Sequence, residues 1–299
     1  MPAAKLMAAG IATTLVLLGL AACQPEPDTT VATEAARESV EAVAEEHAGD
    51  TGTPSEAAAI APERAVVAET LPYAEVDDRL SYGHFVFPSD MVDPLPALIV
   101  VHEWWGLNDG VRALADRLAA EGYIVLAVDL FGGEVARTPE EARKLMMRVL
   151  ENPAAAEENI RQAYRFVRDT AGAPRVASFG WCFGGSWAFN AAMLFPEDLD
   201  AAVIYYGQLS TDVAALSRLE LPIMAHFAED DRSIPVEKVE EFTRALASAG
   251  VEHDVRIYPG VGHAFANPSG RNYNAEAAAQ AWDRSLAFLA QHLQPEAAD

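Results

Sequence analysis

Over most of the chain, short continuous apolar runs alternate with runs in which apolar residues recur at helical spacing. Residues 97–102 and 123–128 are continuous runs that are apolar apart from the terminal His102, which is typical of strands buried on both faces. Between them, Val111 and Leu118 lie two helical turns apart on one face, and Gly122 ends that predicted helix. The hydrophobic pattern therefore indicates strands joined by helical crossovers.

The same pattern continues to the end of the chain. Strands are predicted at 83–87, 97–102, 123–128, 175–179, 201–206, 222–227 and 253–258, and helices at 109–121, 138–150, 155–170, 184–194, 236–249 and 275–293. This alternation predicts an α/β fold with a mostly parallel central sheet and helices on both faces. Reactive residues in such sheets gather at the carboxyl ends of the strands.

The first 22 residues have the pattern of an export signal, with Lys5 before an apolar run at 6–20. The run ends in Leu-Ala-Ala-Cys23, which resembles the bacterial lipobox, where the cysteine is lipidated and becomes the mature N-terminus. We expect an exported protein attached to the cell-envelope membrane through a lipid on Cys23. The alternatives are a simple signal peptide and an uncleaved anchor, for which the run is short of the ~20 residues that span a bilayer.

Residues 23–70 are rich in Ala, Glu, Thr and Pro and contain no aromatic residue. Residues 24–70 include 11 acidic and two basic side chains. Such a segment buries too little apolar surface to offset its ordering entropy, so we expect a flexible acidic tether, with a transient helix near 32–46. The folded domain is predicted to occupy residues 71–299.

The formal net charge is −24, from 45 acidic and 21 basic residues. This excess argues against nucleic acid as a partner, because neutralising phosphates requires Lys and Arg. We therefore expect a small-molecule partner, and the sequence does not indicate an oligomeric state. The two cysteines, Cys23 and Cys182, stand in separate contexts, so separate roles are expected rather than one disulfide.

Gly180-Trp181-Cys182-Phe183-Gly184 lies between a predicted strand and a predicted helix. It follows the pattern Gly-x-nucleophile-x-Gly, in which a tight turn projects the reactive atom and the glycines allow close backbone packing. The N-terminus of the following helix favours a thiolate, and the N–H of Phe183 can donate to an oxyanion. The alternative is a buried, inert cysteine.

An acid and a base follow Cys182 in the order nucleophile, acid, histidine. The strand at 222–227 runs into Glu229, Asp230 and Asp231, and any of these carboxylates could orient an imidazole. His263 then follows the last predicted strand on a Gly-rich loop. The other histidines are expected to be tether, packing or surface residues: His47, His84, His102, His226, His253 and His292.

The folded domain resembles the dienelactone hydrolase family of α/β-hydrolases over about residues 73–293. The resemblance rests on motifs in the family's order: His102-Glu103-Trp104-Trp105-Gly106-Leu107-Asn108, Gly122-Tyr123, Asp129-Leu130-Phe131, Gly180-Trp181-Cys182-Phe183-Gly184-Gly185, Asp231-x-x-Ile234-Pro235 and Gly262-His263-x-Phe265. It implies a triad of Cys182, His263 and Asp231, because the family acid stands three residues before Ile-Pro or Val-Pro. No metal or organic cofactor is implied.

The resemblance also assigns residues around the triad. It implies that Glu103 contacts the resting cysteine and that the N–H of Trp104 is the second oxyanion donor, beside that of Phe183. An aromatic pocket suited to an apolar acyl or lactone group is expected from Trp104, Trp105, Phe131, Trp187, Tyr206 and Phe265.

The chain departs from the family at the substrate-binding arginines. Family enzymes that act on dienelactone carry an arginine four residues after the catalytic His, where this chain has Asn267. Arg143 and Arg271 are the candidates to replace it. The sequence therefore predicts a hydrolase of carboxylic esters or lactones and leaves the individual substrate open. The alternatives are a non-catalytic envelope lipoprotein that binds a ligand or partner, and a peptidase on the same fold.

Overall fold

An eight-stranded sheet forms the centre of the molecule in a computed structural model, which describes residues 29–59 and 61–294. The strands are β1 (Val66–Val76), β2 (Arg79–Pro88), β3 (Ala97–Val101), β4 (Ile124–Val128), β5 (Val176–Trp181), β6 (Ala201–Tyr205), β7 (Ile223–Ala228) and β8 (His253–Tyr258). Their order is β1-β2-β4-β3-β5-β6-β7-β8. Strand β2 is antiparallel to β1 and β4, and the remaining pairs are parallel. The predicted α/β class with a mostly parallel sheet is confirmed.

Eight α-helices are described in these two ranges. They are α1 (Thr29–Glu46), α2 (Asp109–Ala120), α3 (Pro139–Glu151), α4 (Pro153–Arg165), α5 (Phe183–Leu194), α6 (Val213–Leu216), α7 (Val236–Ala249) and α8 (Ala275–Leu293). A 3-10 turn spans Glu56–Ala59, and a π turn at Phe166–Thr170 continues α4. Helices α2, α4, α5 and α8 pack against the sheet. No helix within the described ranges is both long enough and apolar enough to cross a bilayer.

The central strands are buried along their whole length, which explains their continuous apolar sequences. Every residue of β3, β4, β5, β6 and β7 is buried. Because both faces of these strands are covered, no polar face interrupts the apolar run. The core therefore holds rigid the strand ends from which the loops of the candidate site project.

Strand β1 begins before the predicted end of the tether. Residues 66–70 of β1 pair with residues 84–88 of β2. They therefore belong to the folded domain, and the predicted boundary between tether and domain at residue 70 is wrong. Most residues of this half of β1 are exposed. An edge strand of this kind carries little apolar patterning, which is why hydrophobicity alone did not indicate it.

The prediction of a flexible tether is wrong for residues 37–59, which we call the N-terminal segment. Helix α1 packs against α3, and its Val40 and Val43 side chains are buried. Arg143 bonds Glu41 across the same contact at 2.5 Å. The N-terminal segment is therefore docked on the domain by two valines three residues apart and by polar contacts, although its composition is typical of disorder. Cys23 and the rest of the predicted signal lie outside the described residues.

Val43→Asp should release the N-terminal segment, because a carboxylate cannot be buried unpaired in that apolar contact. We expect amide hydrogen exchange within residues 37–59 to become faster by about tenfold or more, equivalent to about 1.4 kcal/mol, with exchange in the sheet unchanged. Glu45→Gln, at an exposed position of the same helix, is the matched control. Equal exchange in both variants and in the unmodified protein would contradict the docked arrangement.

Candidate functional site

The site is organised around the turn between β5 and α5, where Cys182 has a positive φ of 56°. Its N–H donates to the carbonyl of Tyr205 at the end of β6 (2.9 Å), and its carbonyl accepts from the N–H of Ser186 in α5 (3.0 Å). A non-glycine residue at such a φ is strained, and the strain persists only where the surroundings enforce it. The sulfur atom is thereby fixed at the carboxyl end of the sheet.

The glycines two positions on either side of Cys182 permit this turn. A Cβ atom at Gly180 would collide with the carbonyl of Gly184, and one at Gly184 would collide with the carbonyl of Val101 in β3. Both contacts are with backbone, which cannot move aside as the end of a flexible side chain could. The predicted spacing of glycines around Cys182 therefore has a direct steric reason.

His263 connects Cys182 to a carboxylate. Its Nε2 atom lies 3.3 Å from Cys182 Sγ, and its Nδ1–H donates to Asp231 Oδ2 at 2.7 Å. All three side chains are buried. The three predicted residues, far apart in the chain, thus form one connected row that can pass a proton between sulfur and imidazole.

Asp231 is distinguished from the two neighbouring acids by its burial and its hydrogen bonds. Its Oδ1 atom accepts from the backbone N–H and hydroxyl of Ser233 (2.8 and 2.7 Å) and from the N–H of Ile234 (2.9 Å). Glu229 and Asp230 are exposed, and Glu229 bonds the N–H of Gly260 instead. Four donors, including His263, therefore hold Asp231 ionised and fixed in orientation.

The site favours charge separation between sulfur and imidazole. Burial alone would raise the pKa of Cys182, but His263 and then His47 outweigh it and lower this pKa to about 6. Burial also opposes a charge on His263, yet Asp231 and Cys182 raise the pKa of its imidazole well above the usual value. Burial likewise opposes a charge on Asp231, but His263 and the donors around it lower the pKa of that carboxyl group. A thiolate–imidazolium pair is the resting state that these shifts favour at neutral pH.

Glu103 lies at the end of β3 and bonds a different partner from the one predicted. Its Oε2 atom accepts from the Asn267 side-chain amide at 2.6 Å, and the structure gives it no hydrogen bond to Cys182. Burial and the nearby Cys182 charge raise the pKa of Glu103 to about 7. Its carboxyl group therefore changes charge near neutral pH, within the electrostatic influence of the sulfur.

His47 enters the site from the N-terminal segment, so the prediction that it is a tether residue without contacts is wrong. Its ring stacks on Trp104 at 4.7 Å and stands edge-on to His263 at 5.6 Å between ring centroids. Its Nδ1–H donates to Asp50 at 2.9 Å. Burial alone would lower the pKa of His47, but Asp50 and Cys182 outweigh it and raise that pKa.

The N-terminal segment is held over the site by hydrogen bonds to three loops. The Arg232 N–H donates to Glu46, the Arg271 guanidinium to the Ala48 carbonyl, the Asn108 amide to the Gly52 carbonyl, and the Ser55 N–H to Ser269. Cys182 is only 2% exposed. The two arginines predicted as replacements for the family arginine both bond the N-terminal segment. Arg143 pairs with Glu41, and Arg271 bonds the Ala48 carbonyl.

The predicted aromatic pocket divides into two groups. Tyr206 and Phe265 contact each other at 5.5 Å, and Tyr206 contacts His263 at 5.1 Å, while Trp104 and Trp105 contact His47. Phe131 and Trp187 instead pack against Phe183, at 5.3 and 6.3 Å, so the structure places these two in the support of the turn.

Three buried polar atoms at the site have no hydrogen-bond partner among the described residues: His47 Nε2, Trp104 Nε1 and Tyr206 Oη. Ligand-type atoms of His47, Cys182 and His263 also lie within 4.8 Å of one another, which is the one such cluster with metal-binding potential in the described ranges. Buried donors without partners are rare in folded proteins and mark a place where a ligand, ion or water binds.

Comparison with known proteins places most of the chain in one family. The sequence model for the dienelactone hydrolase family matches residues 83–293. Two curated relatives carry the name "putative carboxymethylenebutenolidase". The protein of Aquifex aeolicus is 31% identical over 205 residues, 66% of this chain and 89% of the relative. The protein of Escherichia coli K12 is 30% identical over 245 residues, 77% of this chain and 89% of the relative.

Solved structures show the same fold. A Klebsiella pneumoniae protein described as a putative dienelactone hydrolase has a TM-score of 0.68 and 28% identity, covering 76% of this chain and 100% of its own. Esterase 2 of Thermogutta terrifontis, phosphorylated by paraoxon, has a TM-score of 0.57 at 20% identity, covering 77% and 96%. The N-terminal segment precedes the residues that match the family model, so His47 and Asp50 are contributed from outside that region.

Alkylation of Cys182 by iodoacetamide should follow its lowered pKa. Since only the thiolate reacts, the rate should rise with pH and reach half its maximum near pH 6, well below the value of about 8.5 for an unperturbed cysteine. His47→Gln should move the midpoint upward, because it removes a neighbour that stabilises the thiolate. Mass spectrometry of the peptide that contains residue 182, in timed samples, measures the rate, and Cys182→Ala is the control in which this peptide cannot be alkylated. A midpoint near 8.5 would contradict an activated thiol.

Proposed function

The chain belongs to the dienelactone hydrolase family, and on that premise we propose that it hydrolyses carboxylic esters or lactones with Cys182 as nucleophile. The observation that carries the proposal is the continuous row from Cys182 Sγ through His263 to Asp231, with separations of 3.3 and 2.7 Å. A nucleophile, a base and a residue that orients the base are the three parts that covalent acyl transfer requires.

In the acylation step, the Cys182 thiolate attacks the carbonyl carbon of the ester or lactone. The C–O bond to the leaving group then breaks, and the His263 imidazolium donates its Nε2 proton to the departing alkoxide. The products of this step are a Cys182 thioester and an alcohol, which stays on the same molecule when the substrate is a lactone. Asp231 keeps Nε2 directed at the sulfur and stabilises the imidazolium.

In the deacylation step, neutral His263 removes a proton from a water molecule that attacks the thioester carbonyl. The C–S bond breaks, the carboxylic acid leaves, and the thiolate–imidazolium pair is restored. The N–H groups of Phe183 and Trp104 are the proposed oxyanion donors in both steps. Phe183 is the first residue of α5, so its N–H has no acceptor within the helix. Trp104 lies in the turn that Gly106 N–H closes on the carbonyl of Glu103 (3.1 Å).

The polar groups near Cys182 favour a substrate without a carboxylate. Asn267, which stands where dienelactone-hydrolysing relatives have an arginine, donates its amide to Glu103. The Glu103 carboxyl group carries a partial negative charge at neutral pH, since its pKa is about 7. The negative charge of Glu103 would therefore repel an anionic acyl group, and Asn267 offers no positive charge to bind its carboxylate. Uncharged esters or lactones are the substrate class that we propose.

The alternative of a ligand-binding protein without catalysis accounts for fewer of these observations. A binding site needs neither a strained cysteine nor an imidazole oriented by a carboxylate that four donors hold. No observation at the site favours a peptide substrate over an ester.

Cys182→Ala should abolish hydrolysis of short aryl esters while leaving the fold intact, since only a small buried side chain is removed. We expect a loss in kcat of about 10³-fold or more, because the covalent route is lost. Hydrolysis of p-nitrophenyl acetate and of a simple lactone, each with and without a carboxylate substituent, measures both the nucleophile and the substrate class. A variant that retains more than a few per cent of the unmodified rate would refute Cys182 as nucleophile.

We further propose that the protein is exported and held at a membrane by a lipid on Cys23. The support is the Leu-Ala-Ala-Cys23 sequence after an apolar run. Val40 of the N-terminal segment is already buried against the domain. Only 16 residues, 24–39, therefore lie between Cys23 and Val40. A lipid at Cys23 would thus hold the domain closer to the bilayer than a 47-residue coil would.

Cys23→Ser should release active enzyme into the soluble fraction, since no proposed catalytic residue lies near it. Fractionation of cells that make the unmodified protein or the variant, followed by immunoblotting and an esterase assay, measures the outcome. Unmodified protein in the soluble fraction would refute lipid anchoring.

A further inference from the structure

His47, Cys182 and His263 form a cluster that the hydrolytic steps above do not fully use. One ring nitrogen of each imidazole and the Cys182 sulfur all lie within 4.8 Å of one another. All three side chains are at most 2% exposed. His263 has a role in proton transfer, whereas the buried Nε2 atom of His47 has no hydrogen-bond partner among the described residues. Hydrolysis alone does not require a second imidazole at the sulfur.

Both imidazoles are oriented in the same way. The Nδ1–H of His263 donates to Asp231 at 2.7 Å, and that of His47 donates to Asp50 at 2.9 Å. A carboxylate on one ring nitrogen directs the lone pair of the other nitrogen, and metal-binding histidines in proteins almost always have such a partner. Here a ring nitrogen of each of these two histidines lies within 4.8 Å of the same cysteine sulfur.

We propose that His47, Cys182 and His263 bind one divalent ion of the zinc type, and that the bound ion blocks hydrolysis by occupying the sulfur. One thiolate and two imidazoles are a ligand set that zinc prefers, whereas magnesium and calcium prefer oxygen atoms. Three protein ligands leave the fourth tetrahedral position to a water molecule. On binding, the cysteine thiol and any protonated imidazole release their protons to solvent, and no electron is transferred.

The distances are compatible with such a site. Two ligands of one tetrahedral zinc ion, with bonds of ~2.3 Å to sulfur and ~2.0 Å to nitrogen, lie about 3.5 Å apart. The separation of 3.3 Å between Cys182 Sγ and His263 Nε2 is close to that value. The rings that contact His47 and His263 also carry the other two unpartnered polar atoms, Trp104 Nε1 and Tyr206 Oη.

The site depends on the N-terminal segment. His47 and Asp50 both precede residue 83, where the match to the family model begins. The proposed ion would thus join the segment to the domain and hold the site closed. Its inhibitory effect rests on the proposed function, whereas its binding does not.

Titration of the purified full chain with Zn²⁺ by calorimetry tests the binding. We expect one ion per chain, and with Co²⁺ as a probe we expect a thiolate-to-metal charge-transfer absorption that Cys182→Ala abolishes. His47→Gln should weaken Zn²⁺ binding by about tenfold or more, and Asp50→Asn, which retains the imidazole, by about 10–100-fold. His84→Gln is the matched control, because His84 also pairs with a carboxylate (Asp116, 2.7 Å) but lies away from the cysteine. It should bind like the unmodified protein.

Two results would overturn the proposal: the absence of a charge-transfer band, or equal Zn²⁺ affinity in the unmodified protein, His47→Gln and Asp50→Asn. The latter would show that the Cys182–His263 pair alone binds the ion. An assay of ester hydrolysis on the same samples separates the two proposals. Zinc binding through His47 without any hydrolysis would refute the proposed function and support the site, whereas hydrolysis that zinc inhibits equally in all three proteins would refute the site and support the function.

Discussion

The backbone turn at Cys182 is the constraint on which the site depends. A positive φ at this residue costs on the order of 1–3 kcal/mol and is kept only because β3, β5, β6 and α5 meet there without space for rearrangement. The Cys182 N–H is bound to the Tyr205 carbonyl, and Gly184 lies against the Val101 carbonyl. The same packing that buries the central strands therefore sets the position of the sulfur, and the loops after β7 and β8 need only bring Asp231 and His263 to it.

The electrostatics follow from putting several ionisable groups in that small buried space. A lone thiolate, imidazolium or carboxylate would each be disfavoured by burial, as the effect of burial on Cys182, His263 and Glu103 shows. Cys182, His263 and Asp231 stay charged because an oppositely charged neighbour offsets the cost of burying each of them. Glu103 bonds an amide, and burial and the Cys182 charge raise its pKa to about 7 against the opposing effect of His47 and His263. The charge of Glu103 therefore changes near neutral pH.

The proposed catalytic residues could be predicted from the sequence because their signals are local and ordered. Cys182 stands between glycines at a strand–helix junction, and His263 and an acid follow later strands in the order that the fold requires. His47 could not be predicted in this way. Its position depends on a tertiary contact of α1 with α3, and the surrounding Ala- and Glu-rich composition is typical of disorder. The pair His47-x-x-Asp50 and the Val40/Val43 spacing were the local signals, and each is common in segments that do not dock. Strand β1 was missed for a related reason, since its first half is mostly exposed.

The N-terminal segment lies over the site and affects how a substrate could reach Cys182. Cys182 and His263 are 2% and 1% exposed with the N-terminal segment docked, so the proposed reaction requires a movement that opens a path to the sulfur. The part of the segment over the site is held by hydrogen bonds to Arg232, Arg271 and Ser269, each worth only about 1 kcal/mol net, and by the stacking of His47 on Trp104. Release of the N-terminal segment therefore requires less free energy than unfolding of the buried sheet. We therefore expect the sheet to hold the proposed reacting atoms in place, and movement of the N-terminal segment to open the path to a substrate.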